Sequence, residues 1–390
     1  MSRLAIDLQR RTLSFRSSDG RGLDMPMPAD MFPDPTNLQR VELDVDAARL
    51  RITMPGERAM VELRRPGEDL DTLRAGRPTV YLDQNHWSTL AAARHGHRPV
   101  REGEAEAALH LADLVDAGRI LLPVSAGHLV ETTPLYGAPR VALAGTVLAL
   151  GRGWRMRNPL HVRVEELLHA VQGVEPVAAE VFAPSADGLF SSVGDAATTP
   201  PAKPEMVTAL EQIGRLVPDV LGLYDAAVDE QAIPDEGGAA HAAAEGWARG
   251  LAELAITLRA ADEPASMVRR VAGARMLADM MEDVVRVAHE AGITPEEVIV
   301  RLTAADDPVA RMPFLAQMRQ MLFARLRNAE QTWEANDLVD IMFLCCAAGY
   351  ADLVVGERRA IGYLRQARQP PPSARLATSL QEAVHALDEL

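Results

Sequence analysis

The sequence predicts an α/β chain in which a parallel sheet is split by a large all-helical insertion and preceded by a small β-rich N-terminal region. Three observations predict it. Short apolar runs at 79–82, 120–124 and 353–355 alternate with amphipathic stretches, the order expected of parallel strands joined by helical crossovers. Between them, residues 137–325 carry helical patterning alone. At the start, residues 41–45, 50–54 and 59–63 alternate apolar and polar side chains, the period of a half-buried strand.

Five segments follow in order: 1–76, a β-rich region; 77–136, the first part of the α/β domain; 137–327, the helical insertion; 328–368, its second part; and 369–390, a C-terminal helix. In the first, Pro55-Gly56 is turn punctuation between strands, and 18–38, rich in Gly, Pro, Asp and Met, reads as loop. In the second, Thr79-Val80-Tyr81-Leu82 runs directly into Asp83. A helix is expected from near Ser88, with Ser88 as its cap, and another from 104 to 117, ended by Gly118. Ser125 then opens a helix carrying His128 and Glu131. In the insertion, 140–151, 161–172, 205–231, 239–262, 265–292 and 295–304 read as helices, with 173–204 a long loop or lid. Beyond it, 333–348 is a strong helix, 353–355 a buried strand, 358–367 a short helix and 374–389 an amphipathic one.

Composition limits the function classes. The 390 residues carry a net charge of −15, and a uniformly acidic surface opposes a polyanion. Local field counts for more than net charge near a site. The basic residues are arginines apart from Lys203, so they inform only where they cluster. Cys345 and Cys346 are adjacent in an apolar helical run and read as buried free thiols of a reducing, cytoplasmic compartment. No apolar run approaches the about 18 residues of a membrane span, and an acid at Asp7 argues against a signal peptide.

The acids share one placement. Asp83 follows a strand directly; Glu131 sits in the helix after the next strand; Asp337 and Asp340 lie at i and i+3 on one helix face; Glu357 follows the last strand after one glycine. Ligands of open parallel sheets gather at the carboxyl ends of strands, so these acids can converge despite their separation. Carboxylates crowded together raise one another's pKa, and hard divalent cations such as Mg²⁺ or Mn²⁺ would neutralise them. Two such ions, roughly 4 Å apart, hold a water nucleophile and stabilise the leaving oxygen of a phosphodiester. Four of the acids also have a plainer reading: Asp83 as an Asx turn or helix cap, Glu131 as a solvated carboxylate, Asp337 as a first-turn acid, Glu357 as a loop acid beside Arg358 and Arg359; Asp340, ahead of the uncharged run Ile341-Met342-Phe343-Leu344, is expected to point toward a buried edge.

Taken together, four segments resemble the PIN-domain family of metal-dependent nucleases. They are Val80-Tyr81-Leu82-Asp83-Gln84-Asn85; Leu122-Pro123-Val124-Ser125 on to Leu129-Val130-Glu131; Asn336-Asp337-Leu338-Val339-Asp340-Ile341; and Tyr350 to Glu357. The resemblance implies a PIN-like doubly wound parallel sheet, Mg²⁺ or Mn²⁺ as cofactor, and hydrolysis of RNA or single-stranded nucleic acid in the manner of an endoribonuclease. Asp83, Glu131, Asp337, Asp340 and Glu357 would be its metal-binding and catalytic acids. The chain departs from the family pattern in placing Glu357 where Asp is usual, Gly356 before it, and a long insertion between Glu131 and Asp337. Asp337 and Asp340 compete for one ligand position.

Around these acids, Asn85 is expected to orient Asp83 or a bound water, and Ser125 to hold a carboxylate or cap its helix. His86 and His128 read as surface or hydrogen-bonding histidines. Arg152, Trp154, Arg155 and Arg157 form a basic stretch with an interleaved aromatic, and Arg358 and Arg359 a second, each a candidate to bind nucleic acid. Arg319, Arg325 and Arg327 cluster just before the acidic helix. Two rival functions remain: a degenerate PIN-like module that binds or assembles, and a toxin or defence effector regulated through the insertion. The latter leaves room for a regulatory protein partner or a homodimer.

Overall fold

Strand alternation organises the N-terminal region into six antiparallel strands: β1 (Arg3–Asp7), β2 (Thr12–Arg16), β3 (Gly22–Pro26), β4 (Arg40–Asp44), β5 (Arg49–Met54) and β6 (Glu57–Glu62), in the order β3-β2-β1-β4-β5-β6. The register sets Leu4 opposite Leu43, Leu43 opposite Leu50 and Leu50 opposite Val61. One face therefore collects Leu4, Ile6, Val41, Leu43, Leu50, Ile52, Ala59 and Val61 into a core, and the other carries ion pairs such as Arg40 and Arg51 on Glu42. This computed structural model describes residues 3–27, 39–54, 57–63, 68–132, 135, 137–176, 181–184, 239–328, 331–367 and 372–390. The expected helix at 205–231 lies outside them, as do 28–38 of the expected N-terminal loop and 185–204 of the expected lid. β1 and β2 alternate apolar and polar side chains much as β4 does but were not anticipated, and β3 falls inside the segment expected to be loop.

The chain separates into two units. One comprises 1–79, 87–156 and 182–233; the other comprises 80–86, 157–181 and 234–390. This division is interleaved, and 137–156 groups with the N-terminal sheet rather than with the later helices.

In the first unit, α1 (Leu70–Arg74) precedes the helices α3 (Glu102–Asp116), α4 (Ala126–Thr132) and α5 (Gly137–Gly151). Leu148 of α5 joins the sheet core. The run at 120–124 makes isolated parallel bridges, Thr79 with Leu121 and Val124 with Arg155, instead of a strand. Pro123, which has no N–H to give, interrupts its ladder. Trp154–Met156 forms β8, antiparallel to β9 (Phe182–Pro184).

The second unit holds a three-stranded parallel sheet, β11-β10-β7, from β7 (Val80–Leu82), β10 (Leu353–Val355) and β11 (Arg375–Ala377). β7 and β10 are buried throughout and pair in register, Leu353 with Val80 and Val355 with Leu82. β11 replaces the start of the helix expected over 374–389; pairing with β10 outweighs the helical preference of Arg, Leu and Ala. The helix resumes as α14 (Leu380–Leu387), where the Ser379 side chain accepts the N–H of Glu382.

Helices fill the rest of this unit. α6 (Pro159–Gln172) starts with an Asn158 cap and Pro159 and stops at left-handed Gly173. α7 (Ala239–Ala260), α8 (Ala265–Asp279), α9 (Met281–Ala291) and α10 (Pro295–Leu302) follow, with the expected helix at 265–292 interrupted at Met280. α10 begins with a full capping box between Thr294 and Glu297. α11 (Pro313–Arg327) and α12 (Asp337–Tyr350) cross closely at Gly349, where a Cβ would stand 2.7 Å from the Pro313 carbonyl carbon. Glu166 of α6 fastens the same corner, its buried carboxylate accepting the N–H groups of Phe314 and Leu315 at 2.7 and 2.8 Å and the Tyr350 hydroxyl at 2.5 Å. Cys345 and Cys346 of α12 are free, fully buried thiols. Among the described residues no helix is long and apolar enough to cross a membrane.

Candidate metal centre

Parallel, in-register pairing of β7 with β10 brings the residues after each strand side by side. The Asp83 N–H donates to the Val355 carbonyl, continuing the ladder one step past β7. The Asp83 carboxylate then joins both exits: Oδ1 accepts the Asn85 N–H at 2.8 Å and Oδ2 the Glu357 N–H at 3.1 Å. Asn85 closes the loop by donating its side-chain amide to Glu357 Oε1 at 2.5 Å. Asp83 thus sits at the start of α2 (Gln84–His95), which begins four residues before the Ser88 start that the sequence suggested. Asn85 orients Glu357 with its side chain and meets Asp83 through its backbone N–H.

On α12, Asp337 and Asp340 have different surroundings. Asp337 is an ion-pair partner: Arg325 reaches it at 2.6 Å, with the arginine side chain 8% exposed, and its carboxylate also accepts the Glu334 N–H at 2.7 Å. Arg325 is itself held over the Trp333 ring at 4.5 Å, and Trp333 meets Trp247 edge-on. No such ion pair of Asp340 occurs among the described residues. Its carboxyl is pushed up to about 6, first by the surrounding protein, then by the charges of Asp83, Asp337 and Glu357, with Arg325 opposing. Asp340 retains solvent access, so it stands on an open lip rather than inside the core. These four carboxylates share one field within the second unit.

The donor set is hard oxygen, which suits Mg²⁺ or Mn²⁺. Among the described residues, however, no three His, Cys, Asp or Glu side chains are grouped as a ready-made cage. The fit is one of donor chemistry and shared charge.

The remaining candidates are placed as follows. Glu131 is exposed on α4 in the first unit, whereas the group above is built from second-unit residues alone. Ser125 is fully buried and accepts the His128 N–H through its hydroxyl, the helix-capping alternative. His128 is buried rather than on the surface, accepting the Ser125 N–H at Nδ1 and meeting Trp87 edge-on. His86, by contrast, is half-buried.

The basic stretch after α5 is a correction. Trp154 and Arg155 are buried in β8, and Trp154 donates to Glu62 while Arg77 lies over its ring. Arg152 binds Asp116, and Arg157 binds Glu165 through both nitrogens. Strand formation turned an exposed-looking patch into core, and carboxylates occupy Arg152 and Arg157. Arg358 and Arg359 are exposed at the start of α13 (Arg358–Arg365), directly after Glu357. The role of Arg325 is not visible in the sequence, where it groups with Arg319 and Arg327 as a basic cluster; its pairing with Asp337 depends on how α11 meets α12, and no local spacing encodes that.

Comparison with protein-family models, with curated proteins and with solved structures returns no match to this chain.

Proposed function

We propose that the protein is a metal-dependent nuclease of PIN-like type, hydrolysing phosphodiester bonds in RNA or single-stranded nucleic acid. The observation that carries this reading is the junction of Asp83, Asn85 and Glu357 at the adjoining carboxyl ends of two parallel strands, with Asp340 in the field of Asp83 and Glu357. Asp83, Asp340 and Glu357 are the residues that would hold Mg²⁺ or Mn²⁺. The bound cation would neutralise these carboxylates and supply an acidified water as nucleophile. Asn85 would fix Glu357, and Arg325 would hold Asp337 away from the ion, which favours Asp340 as the ligand of the two. Arg358 and Arg359 would attract the strand next to Glu357.

The purified chain is expected to cleave single-stranded RNA with Mn²⁺ and to stop when EDTA is added. Asp83→Asn should reduce the rate at least a hundredfold. Undiminished cleavage by that variant, in preparations free of other nucleases, would overturn the reading.

A second reading is favoured by one observation, the lack of a finished cage among the described acids: a PIN-like module that binds or assembles without hydrolysis. Calorimetry with Mn²⁺ separates the two, because this module would give no saturable heat.

A further inference from the structure

We propose that the face formed by α8 and α11 around Phe323 is a docking surface for the phosphate backbone of single-stranded nucleic acid, with Arg269 and Arg327 as its phosphate-binding side chains. The choice of nucleic acid among polyanions rests on the nuclease reading above. Phe323 lies half-exposed on α11. Arg327, one turn further along, and Arg269, from α8, bring their guanidinium carbons to 5.6 and 4.6 Å from the centre of its ring. Both arginines are exposed.

An aromatic ring orders a guanidinium without neutralising it. Sharing one ring, the two charges stand on the order of a Debye length apart, about 10 Å at 0.1 M salt, so each feels the other. Among the described residues neither meets a carboxylate. Several other arginines of the same unit do meet one: Arg163 pairs with Asp283, Arg275 with Asp279, Arg311 with Asp306, Arg319 with Asp307 and Arg325 with Asp337. In a chain with 55 acids and 40 bases, two adjacent unneutralised arginines call for an external anion. A phosphodiester answers both, since each guanidinium offers a fork of N–H donors matched to phosphate oxygens. The same helix, through Arg325, holds Asp337 of the candidate centre, so strand binding and the acids share one support.

The test uses the full chain in EDTA, where cleavage plays no part, and a labelled single-stranded RNA read by fluorescence anisotropy. Arg269→Gln with Arg327→Gln is expected to weaken binding tenfold or more. It should also lower the slope of log affinity against log salt, by about 0.7 for each phosphate that the variant no longer neutralises. Arg311→Gln, at an exposed arginine that already has a partner, should leave both unchanged. Thermal melting verifies that the double variant folds. Failure of the unmodified chain to bind RNA, unchanged affinity and slope in the double variant, or equal binding to polyglutamate or anionic vesicles would each overturn the proposal. Asp83→Asn keeps the two readings apart. If the arginine variants bind normally while Asp83→Asn no longer cleaves, only the docking surface falls; if they lose binding while Asp83→Asn still cleaves, only the metal centre falls.

Discussion

Two carboxyls in the second unit are shifted in the same direction, and the sign of that shift has a testable result. Burial takes Glu166 to about 7, with hydrogen bonds from Tyr350, Phe314 and Leu315 holding it back from going further; Asp340, still open to solvent, rises to about 6 through partial loss of its water to the surrounding protein and through the charges of Asp83, Asp337 and Glu357. A raised folded-state pKa means the fold prefers the protonated group. Each group's stabilisation is complete below its ordinary carboxylic range and is lost as pH rises through about 6 for Asp340 and about 7 for Glu166. Thermal midpoints should therefore fall between pH 5 and pH 8. Asp340→Asn should melt higher than the unmodified chain at pH 8 and level with it at pH 4. Parallel profiles for the two proteins across that range would show that the carboxylates do not share a field. Added Mn²⁺ should raise the midpoint of the unmodified chain at pH 8 and leave Asp83→Asn unmoved, because an ion that binds only the native state stabilises it.

At the scale of elements, the crossing of α11 and α12 depends on a missing side chain. A Cβ at Gly349 would stand 2.7 Å from the Pro313 carbonyl carbon and 2.9 Å from the Phe314 nitrogen, and both neighbours are backbone, which cannot yield. Gly349→Ala should destabilise by about 1–3 kcal/mol in urea unfolding, the usual cost of overpacking a filled interior. Thr294→Ala, which removes one side of the α10 capping box, should cost about 1 kcal/mol. Elements with a local signature were legible in the sequence: alternation marked β4, β5 and β6, and helical patterning over 161–172 marked α6, whose Asn158 cap and Pro159 start it two residues earlier. Asp83 at a strand exit and Glu357 after another were legible for the same reason. What was illegible depends on partners distant in sequence. β11 is a three-residue strand only because β10 lies beside it. Trp154 and Arg155 look like a surface patch until β8 buries them, and Arg325 becomes the counter-ion of Asp337 only through helix packing.

At the scale of the whole molecule, the second unit borrows residues 80–86 from far upstream, and these supply β7, the strand that flanks β10. A fragment starting at residue 157 retains β10, β11 and the helices of that unit but exposes one edge of a sheet whose strands β7 and β10 are buried throughout. Such a fragment is expected to bind a hydrophobic dye and to melt without a cooperative transition, whereas the full chain melts sharply. A sharp transition in the fragment would show that β7 is dispensable to the unit's core.

The two adjacent thiols of α12 give this unit a built-in clock. Cys345 and Cys346 are sealed from solvent, and burial raises both well above the ordinary thiol range, so neither forms a reactive thiolate in the folded chain. An alkylating reagent can reach them only when α12 opens. Their labelling rate thus counts openings of the very helix whose first turn carries Asp337 and Asp340, and a cation seated on Asp340 should slow that count without touching sulfur.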